Sequence, residues 1–258
     1  ADMGVIAVTS MRGAPGATSL ALALAGRGRA NDRPVLLVEA DPDGGALAAR
    51  LELPVRPCLT DLVAAARRPL ADDELLRFVQ STGPGIDVVV AHPSSEQTAA
   101  ALRSGGIALA VLLASATPHV VVDVGRWRPG SPALPLARAA DTLLVVVRSD
   151  LEQLAAVVHG AEALRSALGE VRVRLAVVGR STYSVRQIGD LVRSSGIDVV
   201  ACLPDDAASV ATNPYAVSGR RRDPWATSVD ALWQTLVSEE ASSLPADRKS
   251  TRLNSSHT

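Results

Sequence analysis

Gly13, Gly16, Thr18, Asp41 and Asp123 are the residues whose types and spacing could do chemistry in this chain. Gly13, Pro15 and Gly16 punctuate a short loop. It follows the apolar, β-branched run at residues 5–8 and precedes an Ala/Leu-rich stretch opened by Thr18. Strand, glycine loop and helix together form an anion cradle, built from backbone N–H groups and a helix N-terminus, that needs no particular side chain. A Gly-x-x-x-x-Gly-Lys-Ser/Thr pattern laid from Met11 is met only in part. Gly16 and Thr18 are in place, with Ser19 beside them as a further candidate for binding the ligand, but Met11 replaces the first glycine and Ala17 replaces the lysine. The cradle is present and its charge is missing.

The two acids complete the picture. Asp41 follows the apolar strand at residues 35–38, in the segment Glu39-Ala40-Asp41-Pro42-Asp43-Gly44-Gly45. Carboxylates at the C-terminal end of a strand sit where α/β sheets bind ligands. Asp123 directly follows the apolar strand at residues 119–122, the layout of a Walker B acid that must reach Mg²⁺ or its water shell. Arg126, Trp127 and Arg128 come next, in a loop placed either to flank a ligand or to cover the sheet.

The elements that must position these residues alternate along the chain. Helices are expected at 59–67 and 71–80, then a turn at 82–85 and a strand at 86–90. Two helices follow at 94–103 and 107–114, divided by Gly105-Gly106. After the Asp123 strand come a strand at 142–147 and a helix capped by Asp150 and running to about 168. A strand at 172–178 lies near the sheet edge, followed by a helix at 184–195 and a last strand at 197–202. A closing helix at 225–240 carries Leu232, Trp233, Leu236 and Val237 as its apolar stripe. This alternation calls for one α/β domain over residues 4–240, with a doubly wound, mostly parallel sheet and helices on both faces.

Composition narrows the function classes. The 258 residues are 47% hydrophobic and 2% aromatic, so Val, Leu and Ala must fill the core. No signal peptide opens the chain and no apolar run reaches a membrane span, so a cytoplasmic protein is expected. Cys58 and Cys202 are far apart and read as two buried thiols, and the four histidines show no metal-ligand spacing. Residues 247–257, DRKSTRLNSSH, have no apolar period and look like a translated sequencing-library adapter; residues 247–258 are set aside as non-native. That segment holds the only lysine, Lys249, and without it 23 basic residues face 26 acidic ones. A start at Ala1 leaves room for an upstream domain.

Five segments in order, GVIAVTSMRGAPGATS, VLLVEADPDGG, HVVVDVG, TLLVVV and LPDD, resemble the ParA/MinD family of deviant Walker A ATPases over roughly residues 4–237. The LTDLV and IDVVVAHPSSE segments further resemble the TadZ/CpaE branch, which acts in pilus localisation. The resemblance implies ATP and Mg²⁺ as ligands. It lays the family loop on Arg12, Gly13, Ala14, Pro15, Gly16, Ala17 and Thr18. Arg12 then stands for the lysine that reaches across a homodimer, and Ala17 for the lysine on the β- and γ-phosphates. Thr18 and Asp123 fall at the Mg²⁺ positions, and Asp41 at the acid near the attacking water. Glu39 stands where the family usually has another aspartate. Gly179-Arg180 replaces the asparagine on the adenine side, and Pro204 and Asp205 match the loop that borders the base.

A hydrogen bond to a charged group is worth about 1.5–3 kcal/mol, so one missing lysine weakens binding roughly ten- to a hundredfold. A cationic contact to a transferring phosphoryl group is worth on the order of 10³–10⁵ in rate. The expectation is therefore weak or lost ATPase activity and a localisation or partitioning scaffold with a protein partner. The alternatives are a slow ATPase in which an arginine substitutes for lysine, and a non-specific DNA-binding module. DNA binding would draw on Arg220-Arg221-Arg222 and on Arg165, Arg172, Arg174 and Arg193, against the net negative charge. Ser238-Glu239-Glu240 makes the last helix a poor match for an anionic bilayer.

Overall fold

The computed structural model describes residues 4–13, 15–30, 35–83, 85–116, 119–204 and 224–243. Ala14, Asp205, Arg220-Arg221-Arg222 and the segment 247–258 lie outside the described residues. Eight strands form one sheet: β1 (Val5–Ser10), β2 (Val35–Glu39), β3 (Gln80–Ser81), β4 (Asp87–Val89), β5 (His119–Arg126), β6 (Thr142–Arg148), β7 (Arg172–Val178) and β8 (Asp198–Leu203). Their order is β3-β4-β2-β5-β1-β6-β7-β8, with every pairing parallel except β3 on β4.

The apolar runs of β1, β2, β5 and β6 are buried on both sides because helices cover both faces. The period of two sends Val5 and Ala7 into one core and Ile6 and Val8 into the other. The Ile6 side is closed by α1 (Ala17–Ala30) and by α9 (Pro224–Ser243), whose Leu232, Trp233 and Leu236 are buried as the apolar stripe requires. The Val5 side is closed by α3 (Leu59–Ala65), α5 (Ser95–Ser115), α6 (Leu134–Arg138), α7 (Leu151–Leu168) and α8 (Val185–Val192). Two four-residue helices, α2 (Leu47–Arg50) and α4 (Asp72–Leu75), complete the set among the described residues.

Several expectations need correction. Gly105 and Gly106 do not divide a helix pair; α5 is continuous for 21 residues. Both glycines are buried, and a Cβ on Gly105 would stand 2.5 Å from Val63 Cγ1 on α3. Close helix packing overrides the weak helix propensity of glycine there. Continuity also makes α5 the one helix among the described residues long and apolar enough to cross a membrane, although Leu102, Leu109 and Leu113 are buried in the core. The helix expected at 71–80 shrinks to α4 and a 3₁₀ turn at Leu76–Phe78, and Gln80 joins the edge strand β3. β5 runs past Asp123 to Arg126. β7 lies one strand in from the edge, near it as expected. Cys58 is buried but Cys202, on edge strand β8, is exposed.

Candidate functional site

The loop between β1 and α1 opens at the C-terminal edge of the sheet, where β2 and β5 deliver their acids. Gly16 adopts φ +97°, a conformation closed to most side chains, and α1 starts at the next residue. The N–H groups of Ala17, Thr18 and Ser19 open α1 ahead of its first helical bond, which runs from the Leu20 N–H to the Gly16 carbonyl at 2.9 Å. A cavity of ≈ 360 Å³ lies in front of them. Gly13, Pro15, Gly16, Ala17, Thr18, Ser19, Asp41 and Asp123 line it, so the structure brings these expected residues together.

The acids are positioned by backbone register. Asp123 pairs in register with Val8 on one side and Glu39 on the other, which fixes it at the centre of the sheet edge. Its Oδ1 accepts from the Gly125 N–H at 3.1 Å, whereas its Oδ2 is buried with no hydrogen-bond partner among the described residues. Burial pushes the Asp123 carboxyl up to about 7, against the Thr18 hydroxyl and the Gly125 N–H, which favour the ionised form. Neighbouring Asp41 and Glu39 raise it further. Asp41 also lies above the ordinary carboxylate range, chiefly through burial. Gly125, at φ +68°, lets it approach: a Cβ there would stand 2.2 Å from Asp41 Oδ1.

Glu39 has a different task from the other two acids. Its Oε1 accepts from the N–H groups of Ala46 at 2.7 Å and Leu47 at 3.0 Å, and its Oε2 from the Ala91 N–H at 2.9 Å. Burial raises its pKa and these three donors oppose the shift. Glu39 thus ties the Asp41 loop to the end of β4.

Arg12 is not part of the cavity lining; its Nη1 donates to Glu152 Oε1 on α7 at 3.1 Å. Two other arginines do line the cavity. Arg126, at the end of β5, donates through Nη2 to the Gly13 carbonyl at 3.0 Å, and Arg50, on α2, donates through Nη1 to Ser19 Oγ at 3.2 Å. The sequence signal for Arg126 is its place three residues after Asp123; nothing in the sequence marks Arg50. Arg128 pairs with Asp43 at 2.9 Å across the rim, so the loop after Asp123 flanks the site. A second cavity of ≈ 470 Å³ opens at the ends of β6 and β7, lined by Asp150, Gly179, Arg180 and Tyr183 among others. Pro204, just beyond β8, is half-buried and lines neither cavity.

The chemistry of this donor set fits a phosphate ligand with a divalent cation. The open cradle supplies N–H donors, and the orphaned Oδ2 of Asp123 beside the Thr18 hydroxyl supplies hard oxygen ligands. No group of three or more His, Cys, Asp or Glu side chains suited to holding a metal alone occurs among the described residues, so a cation here would lean on its ligand's phosphates.

Sheet order, loop and acids define the fold of a P-loop NTPase of the ParA/MinD kind. The chain aligns with a ParA family ATPase from Chlorobium tepidum TLS at a TM-score of 0.76 and 18% identity, over 91% of this chain and 98% of that one. It aligns with the septum site-determining protein MinD complexed with Mg-ADP from Pyrococcus horikoshii OT3 at 0.73 and 16%, over 91% and 96%. An ATP complex of a Cyanothece McdA variant gives 0.67 and 15%, over 94% and 98%. No family model matches the sequence and no curated protein does.

Proposed function

We propose that this chain is a ParA/MinD-like P-loop protein that binds Mg-ATP weakly, has lost rapid hydrolysis, and works as a cytoplasmic localisation or partitioning scaffold. The observation that carries it is Ala17 at the first position of α1, in an otherwise assembled cradle. Thr18 and Asp123 would hold Mg²⁺, whose role is to neutralise phosphate charge. The backbone of Gly13 to Ser19 orients the phosphates. Asp41 sits beside Asp123, placed to hold a water near the cradle. Missing is the ammonium that would stabilise charge developing on a transferring phosphoryl group.

The LTDLV and IDVVVAHPSSE segments support a role in pilus positioning, in the manner of the TadZ/CpaE branch. A DNA-binding role is less well supported. Arg165 bonds the Ser195 carbonyl, Arg174 pairs with Asp198 and Arg193 with Asp190, so these arginines are engaged within the fold.

Calorimetric titration with Mg-ATP tests the nucleotide reading. Ala17→Lys places an ammonium at the helix N-terminus and is expected to tighten binding at least tenfold. Absence of binding by both proteins at millimolar nucleotide would reduce the loop to a structural turn.

A further inference from the structure

The geometry points to Arg126 and Arg50 as the side chains that supply, from outside the loop, the cationic phosphate contacts that residue 17 no longer makes. This inference rests on the nucleotide-binding reading above. The two guanidinium groups bracket the cradle: Arg126 reaches the Gly13 carbonyl at its start, and Arg50 reaches Ser19 Oγ in the first turn of α1. They come from separate elements, β5 and α2, and both line the same cavity.

Charge within the cavity favours the assignment. The acids that line it are Asp41, Asp43 and Asp123, and among the described residues the only cationic side chains in the lining are Arg50 and Arg126. Asp43 is matched by Arg128 at the rim, which leaves two acids facing two arginines. Arg12 pairs instead with Glu152, away from the cavity. A polyphosphate entering beside Asp41 and Asp123 meets repulsion that the neutral cradle alone does not offset. The guanidinium groups are therefore the charges available to it.

Each arginine spends one N–H on its anchoring bond out of the five donors a guanidinium carries. The remaining planar fork suits two phosphate oxygens at once. The anchoring bond also holds the head group at the cavity wall, which lowers the entropy lost on contact with a ligand. The competing role is that of a neutral buttress, in which Arg126 only props the Gly13 carbonyl. A buttress needs a donor and no charge, and that difference makes the two roles separable.

The test is calorimetric titration of Mg-ATP into the wild type, Arg126→Gln, Arg126→Lys, Arg50→Gln, the Gln double variant, and Ala17→Lys alone and combined with Arg126→Gln. Glutamine keeps an N–H donor for the Gly13 carbonyl while removing the charge, and thermal melting confirms that each variant is folded. Each Gln substitution is expected to weaken Mg-ATP binding at least tenfold and the double variant more. Arg126→Lys should retain part of the affinity, and Ala17→Lys should restore it in the Arg126→Gln background. A folded Gln double variant that binds Mg-ATP as the wild type does overturns the arginine assignment and leaves the nucleotide reading standing. A wild type that fails to bind while Ala17→Lys binds overturns the arginine assignment and the weak binding of the native chain, and leaves only the backbone cradle as competent. Failure of both to bind overturns the assignment and the nucleotide reading together.

Discussion

Arg12 Nη1 lies 3.1 Å from Glu152 Oε1, joining the β1–α1 loop to the first turn of α7 within one chain. Both side chains are mostly exposed, at 62% and 77%, so the pair contributes well under 1 kcal/mol and is easily exchanged for another partner. If position 12 reaches across a homodimer, as the resemblance implies, nucleotide must compete only with this loose contact. Sedimentation of the purified protein should show a monomer alone and a dimer with Mg-ATP. Arg12→Ala should abolish the shift without changing the melting temperature. A strict monomer under both conditions at high protein concentration would count against a face-to-face dimer.

Asp123 gives the metal-free protein a pH dependence of definite sign. Its folded pKa, about 7, lies above the ordinary value of 3.8, so the native state holds a proton that the unfolded state has lost. Its contribution is fully favourable below about pH 4 and is lost as pH rises toward 7. Asp123→Asn should therefore raise stability at pH 8 relative to the wild type, because it removes a carboxylate that burial disfavours. It should also flatten the profile between pH 4 and 7 in denaturant unfolding without metal. An unchanged profile would show that the buried carboxyl is solvated in solution.

Glu39 holds two segments through three backbone donors. Glutamine offers one carbonyl oxygen, and its NH₂ group would face an N–H donor in place of an acceptor. Glu39→Gln should cost about 2–3 kcal/mol, the value of a lost charge-assisted bond plus a donor left unsatisfied. Urea unfolding checks this. A change below half a kcal/mol would mean that water replaces the carboxylate without loss.

Gly105 is predicted to resist even alanine. A Cβ placed 2.5 Å from Val63 Cγ1 must push α3 and α5 apart, at about 1–3 kcal/mol. The gain in helix propensity returns roughly 1 kcal/mol. Gly105→Ala should thus be net destabilising, and Val63→Ala should partly rescue it in a double-mutant cycle. Simple additivity of the two would refute the contact.

The strands were legible because β1, β2, β5 and β6 are buried and read as unbroken apolar runs bounded by Gly, Pro and acids. The cradle was legible for the same local reason: Gly13, Gly16 and Thr18 lie within six residues of one another. Long-range contacts were not. Gly105-Gly106 looks like a break until Val63 appears opposite it, and Arg50 looks like a surface charge until tertiary structure brings it to Ser19; for Arg126 the sequence leaves two roles open, and its bond to Gly13 puts it beside the cradle. Glu39 reads as a site acid by position, and only its three backbone partners show it to be a structural one.

The seam around Glu39 has a mechanical side. Gly45 donates to the His92 carbonyl at 3.0 Å, and a Cβ on Gly45 would stand 2.4 Å from the Ala91 carbonyl oxygen, so the Asp41 loop and the 91–94 segment fit without play. Three residues on, Ser94 caps α5. The seam therefore joins the Asp41 loop to the cap of a continuous 21-residue helix. At 1.5 Å per residue that helix carries Ile107 and Val111, its exposed apolar residues, roughly 18–24 Å from the seam. One unbroken helix thus spans the distance between the acid loop and an exposed apolar pair.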